Sequence, residues 1–204
     1  MSISTYLQLK TAIQNWSKRG DTLSVLDDFI DLAESDIAAN LKVRSMESTT
    51  TGSTGTSTRY LTLPTGFLSM RKFRLYTGGE SFEIEYKAPE SMNIQTAAGR
   101  PRFFTVTDQV EFDRVPDSDY SYDMAHFKSL PALSATNTTN DILTRFPTVY
   151  LYGSLFHFGQ WAHDAAMTQQ YSMLFDEAMK RANKLDRRGR HGPAPAMRIE
   201  GSTP

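Results

Sequence analysis

Ser45–Thr58 reads SMESTTTGSTGTST, with no apolar residue after Met46 and almost nothing but Ser, Thr and Gly. A run of that composition has little to bury and marks a flexible excursion or a hairpin tip, and therefore a boundary. The hydrophobic period differs on its two sides. Upstream, apolar residues recur every three or four positions, as a helix needs to hold one face against a core; downstream they alternate, as in a half-buried strand.

On the upstream side, Ser4 is placed to cap a first helix whose Tyr6, Leu9, Ile13 and Trp16 share a face until Gly20 ends it. Ser24 or Thr22 starts a second helix. There Leu26, Phe29, Ile30, Ala33, Ile37 and Leu41 line one face and Asp27, Asp28, Glu34 and Asp36 the other. Its acids crowd the N-terminal half, where the helix dipole favours them, and the Gly20 break implies an antiparallel hairpin.

Downstream, Tyr60–Pro64 reads as a strand stopped by proline, and Phe73-Arg74-Leu75 continues the extended habit. Gly78-Gly79 is a turn, after which Phe82, Ile84 and Tyr86 alternate with Glu83 and Glu85 as one hairpin strand. Ser91–Gly99 is a loop or a short helix. Phe103–Thr107, Val110–Asp113 and Tyr120–Phe127 follow as a meander, so that five or so short strands make one sheet. Ser129–Thr144 is polar and leads back out.

A third helix begins after Pro147, a residue suited to a first turn, and is apolar on nearly every side through Val149, Tyr150, Leu151, Leu155, Phe156, Phe158, Trp161 and Ala162. Such a helix is central to its unit or buried at a subunit interface. A fourth sets Tyr171, Met173, Leu174, Phe175, Ala178, Met179, Ala182 and Leu185 against a basic face. The expected fold class is α+β: a four-helix bundle-like core from both ends of the chain, a small inserted antiparallel β domain and an extended C-terminal arm. The boundaries are 1–46 for the helical hairpin, 47–144 for the β domain, 145–188 for the C-terminal helices and 189–204 for the arm.

That arm is punctuated by Gly189, Gly192, Pro193, Pro195, Gly201 and Pro204 and has too few apolar residues to offset the entropy of ordering. Lys180, Arg181, Lys184, Arg187, Arg188 and Arg190 at its root are opposed only by Asp186. The segment is expected to order against a partner; a C-terminus that merely frays is the plain alternative.

With 22 Lys and Arg against 23 Asp and Glu, no global field directs the chain to nucleic acid or an anionic membrane. The absence of cysteine excludes disulfides, thiolate-bound metal and thiol catalysis. The N-terminus lacks the pattern of a signal peptide, and no stretch is long and apolar enough to span a bilayer, so a cytoplasmic site of synthesis without membrane partners is expected. His157 and His163, six apart on the third helix, point in different directions and cannot share a metal. His126 falls in a strand and His191 in the arm. Phosphate-loop, dinucleotide, nucleophile-elbow and zinc-protease spacings are absent, so neither an enzyme nor a cofactor is expected. Gly99-Arg100-Pro101-Arg102-Phe103-Phe104 interleaves cations with aromatics, a pattern open to base stacking but more often core and edge of a sheet.

Several phrases together resemble the head-to-tail adaptor proteins of short-tailed bacteriophages. They are Leu41–Glu47 (LKVRSME), Leu63–Leu68 (LPTGFL), Gly99–Phe104 (GRPRFF), Pro131–Ser134 (PALS), and Asn140–Pro147 (NDILTRFP) leading into Tyr150–Leu155 (YLYGSL). The resemblance implies a structural virion protein, made in the host cytoplasm, with about twelve copies in a ring beneath the portal. Its partners would be the portal ring, a tail nozzle or tail-fibre protein and other copies of itself, with genomic DNA passing through without sequence-specific binding. The arm, through Arg187, Arg188, Arg190, His191, Pro193, Pro195, Met197, Arg198 and Ile199, would bind the portal. Tyr150, Tyr152, Phe156 and Trp161 would lie at the subunit interface, and Phe82, Ile84, Arg100, Arg102 and Phe103 on a tail-facing β surface. The alternatives are another neck or head-completion protein, then a nucleic-acid-binding module; a small hydrolase using His163 and Asp164 is a distant third.

Overall fold

The computed structural model of the chain describes residues 3–19 and 24–190, with side chains through 187. The polypeptide divides into two units, Met1–Ser45 with Pro131–Pro204, and Met46–Leu130.

The first unit holds five α-helices: α1 (Tyr6–Ser17), α2 (Leu26–Asn40), α3 (Asp141–Arg145), α4 (Pro147–Trp161) and α5 (Ala165–Arg190). Thr5, not Ser4, caps α1: its Oγ1 accepts the Gln8 N–H, and Gln8 Oε1 accepts the Ser4 N–H, a reciprocal arrangement that satisfies two otherwise orphaned donors. The helix ends at Lys18 in the left-handed conformation (φ 52°), ahead of Gly20, which lies outside the described residues, as does Thr22. Along α2 the expected face is the buried one: Leu26, Phe29, Ile30, Ala33 and Ile37, with Leu41 just beyond. Pro147 opens α4, which packs against all four other helices. α4 stops at Trp161, so His163 is not helical; it stands in the connection to α5 at φ 53°.

The regular structure of the second unit is β apart from a 3₁₀ turn at Pro89–Ser91 and the end of another, Arg44–Met46, where the unit begins. Its strands are β1 (Glu47–Ser53), β2 (Tyr60–Thr62), β3 (Phe67–Thr77), β4 (Glu80–Glu83), β5 (Glu85–Tyr86), β6 (Phe103–Val106), β7 (Gln109–Phe112) and β8 (Ser121–Lys128). They form two sheets, ordered β1-β8-β3-β4 and β2-β7-β6-β5, antiparallel except for β5 with β6. Phe73, Leu75 and Met124 of the first sheet meet Phe104, Val110 and Phe112 of the second in one buried core that also takes in Ile84 and Tyr120. Phe73 stacks on Phe112 at 5.8 Å and meets Phe104 edge-on at 5.4 Å between ring centroids.

The expectation of a four-helix bundle-like core with a small β insert is therefore corrected. The chain is α+β, but eight strands in two sheets supply a substantial β core of their own, and the helices number five, grouped around α4. Three local features of the β segment account for its size, and the short α3 adds the fifth helix. The run taken as a flexible excursion contains β1, paired with β8 from Glu47↔Phe127 to Ser53↔Ser121. It is an edge strand, where polar, β-branched threonines suit a pleat with one wet side. The alternation Phe82–Tyr86 is not one strand: β4 pairs with β3, the Ile84 N–H donates to the Phe73 carbonyl at 3.2 Å, and β5 then joins β6 in the other sheet. β8 likewise leaves the expected meander to fill the centre of the first sheet. Gly78 and Gly79, at φ 56° and 86°, make the tight β3–β4 turn as expected, since two successive positive φ values favour glycine.

Candidate functional site

No group of three or more His, Asp or Glu residues able to hold a metal occurs among the described residues. What the chain does offer is a set of shaped surfaces, and the buried polar groups that hold them in place.

In the helical unit, Glu34 of α2 accepts the Leu133 N–H at 2.9 Å and the Tyr150 hydroxyl at 3.0 Å on the same oxygen. That hydroxyl accepts in turn from Asn140 Nδ2 at 2.6 Å, while Asn140 Oδ1 caps α3 through the Leu143 N–H. One network thus ties α2, the incoming segment 131–140, α3 and α4 together. Burial raises the Glu34 pKa despite these two hydrogen bonds, and raises that of Tyr150, with the Glu34 charge adding to the effect. A second lock closes on α5. Asp186, 1 % exposed, accepts the Arg44 N–H at 3.0 Å and its Nε–H at 3.3 Å, and Asn183 accepts the Lys42 N–H one turn earlier. A third joins α1 to α2: Asp27 accepts the Tyr6 hydroxyl at 2.5 Å and pairs with Lys10 at 2.6 Å. Lys10 first, then Tyr6, draws the Asp27 pKa down.

Of the aromatic residues assigned to a subunit interface, Tyr150 is fully occupied inside its own unit. Tyr152 lies between Trp16 and Tyr171, at centroid distances of 6.1 and 6.2 Å. Phe156 is half-buried, and Trp161 keeps exposed surface while packing on Phe29 and Phe158. His157 Nε2 contacts Asp36 at 2.9 Å, and His126 is buried beside Phe67.

On the β unit, Ile84 belongs to the core, so it has no surface to present. The Arg100 guanidinium lies over the half-buried Phe82 ring at 4.5 Å and the Lys87 ammonium over Phe103 at 3.5 Å, with Arg102 exposed next to them. Asp113 fixes this loop from beneath. Fully buried, its Oδ1 accepts the Arg102 and Phe103 N–H groups at 2.9 and 3.3 Å and its Oδ2 meets Arg114 Nε at 2.9 Å.

The basic face of α5 is exposed at Lys180, Arg181, Lys184 and Arg187. The helix continues through Gly189 and Arg190, which the sequence reading gives to the arm, and the side chains of Arg188 and Arg190 are not described. His191, Pro193, Pro195, Met197, Arg198 and Ile199 lie outside the described residues.

Sequence reasoning put Glu34 on a solvated face and treated Asp186 as a stray counter-charge. Asp186 stands four residues after the buried Ala182, a spacing that places it on the packed side of α5. Asp113 gave no such signal, because its partners are backbone groups ten and eleven residues away.

The family model described as the SU10 adaptor protein matches residues 4–198, nearly the whole chain and both units. The chain belongs to the SU10 adaptor protein family. No curated protein matches it. The adaptor is accordingly a structural protein of the phage virion, working through contacts with other virion components. Among the adaptor's described residues no helix is long and apolar enough to cross a membrane.

Proposed function

We propose that this adaptor is the ring that joins the portal to the tail of a phage particle, with about twelve copies closing around the path of the genome through one repeated head-to-tail contact. The observation that carries the reading is the family match across residues 4–198. The arm at the end of the chain reaches the portal, with the basic root of α5 beside it. The exposed Arg100 and Arg102 with the half-buried Phe82 and Phe103 face a tail nozzle or tail-fibre protein.

The two adhesive ends differ in kind. A Pro- and Gly-rich arm orders on its partner and binds with modest affinity per unit area, whereas the Arg100–Phe82 and Lys87–Phe103 pairs are held in shape by a folded sheet. Ring closure takes place on the portal template, which gathers the copies through their arms.

Co-sedimentation of the purified chain with the portal ring of the same phage tests the reading. Binding to the portal supports it; no association at micromolar concentration moves the protein to another position in the neck.

A further inference from the structure

Two helices of the first unit carry exposed stripes that match each other. Both α2 and α5 pack on α4 and turn these stripes away from it. On α2 the outward positions are Asp28, Asp31, Leu32, Ser35 and Ala39, within a sector of about 100°. Asp28 and Asp31 form no ion pair with a described residue, unlike Asp27, which Lys10 neutralises, and Asp36, which meets His157. Leu32 between them is 50 % exposed. On α5 the outward positions are Met173, Glu177, Lys180 and Lys184, within about 60°. Met173 is 61 % exposed. Glu177 is occupied by Arg181 at 2.9 Å, while Lys180 and Lys184 have no carboxylate partner among the described residues.

We infer that the Asp28–Ala39 stripe of α2 on one copy packs antiparallel against the Met173–Lys184 stripe of α5 on the next copy in the ring. The inference rests on the ring reading above and names the two faces that make its repeated contact.

Three features select this occupant and this orientation. The α2 stripe is acidic and the α5 stripe is basic beyond its internally paired Glu177, so neither is complementary to itself. A twofold contact would set like charges together, whereas a heterologous contact sets Asp28 and Asp31 against Lys184 and Lys180. The stripes also have the same length: Asp28 to Ala39 and Met173 to Lys184 are each twelve residues, eleven steps or about 16 Å of helix. In the antiparallel register Asp28 faces Lys184, Leu32 lies along the aliphatic stem of Lys180, Ser35 faces Glu177 and Ala39 faces Met173. A parallel register would set Asp28 beside Met173 and Ala39 beside Lys184, leaving both charge clusters without partners. Small residues at positions 35 and 39 let the backbones approach at the apolar end, and the charged end fixes the direction.

The test uses the full chain and the portal ring, and the chain's lack of cysteine makes it clean. Ala39→Cys and Met173→Cys variants are mixed and treated with a short bis-maleimide, at high concentration and again on the portal. Asp28→Lys/Asp31→Lys, Lys180→Asp/Lys184→Asp and the chain carrying all four changes are assayed in parallel for ring mass on the portal. The inference expects cross-linked dimers from the mixture and none from either variant alone. It also expects the ring to be lost in each charge reversal and restored in the fourfold variant. Rings of normal mass that neither cross-link nor respond to reversal overturn the pairing and leave the ring reading standing. Absence of any wild-type ring overturns the ring reading, and the cross-link then decides the pairing alone: its absence overturns that too.

Discussion

Gly159 is a position at which a single methyl group should be felt. It is buried in the last turn of α4, where that helix comes closest to the start of α5. A Cβ built on Gly159 would lie 2.9 Å from Thr168 Oγ1, 3.0 Å from Thr168 N and 3.2 Å from Thr168 Cα. Carbon contacts relax at about 3.5–4.0 Å, so the helices would have to part by several tenths of an ångström. Thr168 cannot yield easily. Its N–H donates to the Asp164 carbonyl at 2.9 Å, its hydroxyl donates to the same oxygen at 2.7 Å, and Asp164 Oδ1 caps the helix through the Met167 N–H.

Overpacking of this kind costs about 1–3 kcal/mol, while Ala gains up to about 1 kcal/mol over Gly in a helix. Gly159→Ala should therefore destabilise the helical unit by up to about 2 kcal/mol, because two of the three colliding atoms are backbone and the third, Thr168 Oγ1, is held by the Asp164 carbonyl. Gly153→Ala is the companion case. There the new Cβ meets Ala33 Cβ, which is fixed to the α2 backbone, and the buried Phe175 ring at Cε2, both at 3.0 Å, so a loss of similar size is expected. Urea unfolding followed by helical circular dichroism measures both. A Gly159→Ala protein as stable as the parent would refute the close approach.

Three further outcomes are expected. Burial lifts the folded pKa of Glu34 above its ordinary 4.5, so its contribution to stability is complete below that value and is lost as pH rises through the raised one. Glu34→Gln keeps an acceptor for Tyr150 and Leu133 and carries no charge, so the stability difference should shift in favour of the variant as pH rises from below 4.5 through the raised value; a constant difference by denaturant titration contradicts this. Asp113→Ala strands the Arg102 and Phe103 N–H groups and leaves Arg114 without its buried partner. It should cost the β unit about 3–5 kcal/mol and open the Arg102–Phe103 bond to trypsin, whereas Asp113→Asn should keep most of the protection. Deleting residues 191–204 should abolish portal binding with the helical signal nearly unchanged, and retained binding would remove the arm from the account.

Helices α1, α2 and α5 were legible in the sequence because each has one dry side, and α4 because it is apolar nearly all round. Leu26, Phe29, Ile30, Ala33 and Ile37 recur at the helical period and are buried, and Pro147 marks the first turn of α4. The strands were legible one by one but not as sheets, since alternation reports which side chains point inward and not which strand lies alongside. Phe82, Ile84 and Tyr86 keep a perfect alternation while the chain crosses from one sheet to the other. β1 was hidden for a different reason: polarity identifies what water touches, and an edge strand of threonines is as polar as a linker. α3 is short and framed by its cap, Asn140, more than by a hydrophobic period.

The surfaces were less readable than the core. Arg100 and Phe82 are far apart in sequence and meet where Asp113 anchors the chain just beyond Arg100, at Arg102 and Phe103. The α2 and α5 stripes look like ordinary solvated faces until their charges are checked for partners within the fold. Tyr150, an aromatic of the apolar α4, serves its own unit through Glu34 and Asn140 instead of facing outward.

Mass measurement by light scattering, on the purified chain alone and after mixing with the portal ring, tests the adaptor account most directly. The account predicts a monomer that is captured by the portal until the complex has gained about twelve copies. A chain that stays monomeric beside an unaltered portal, or that closes rings without the portal, would contradict it.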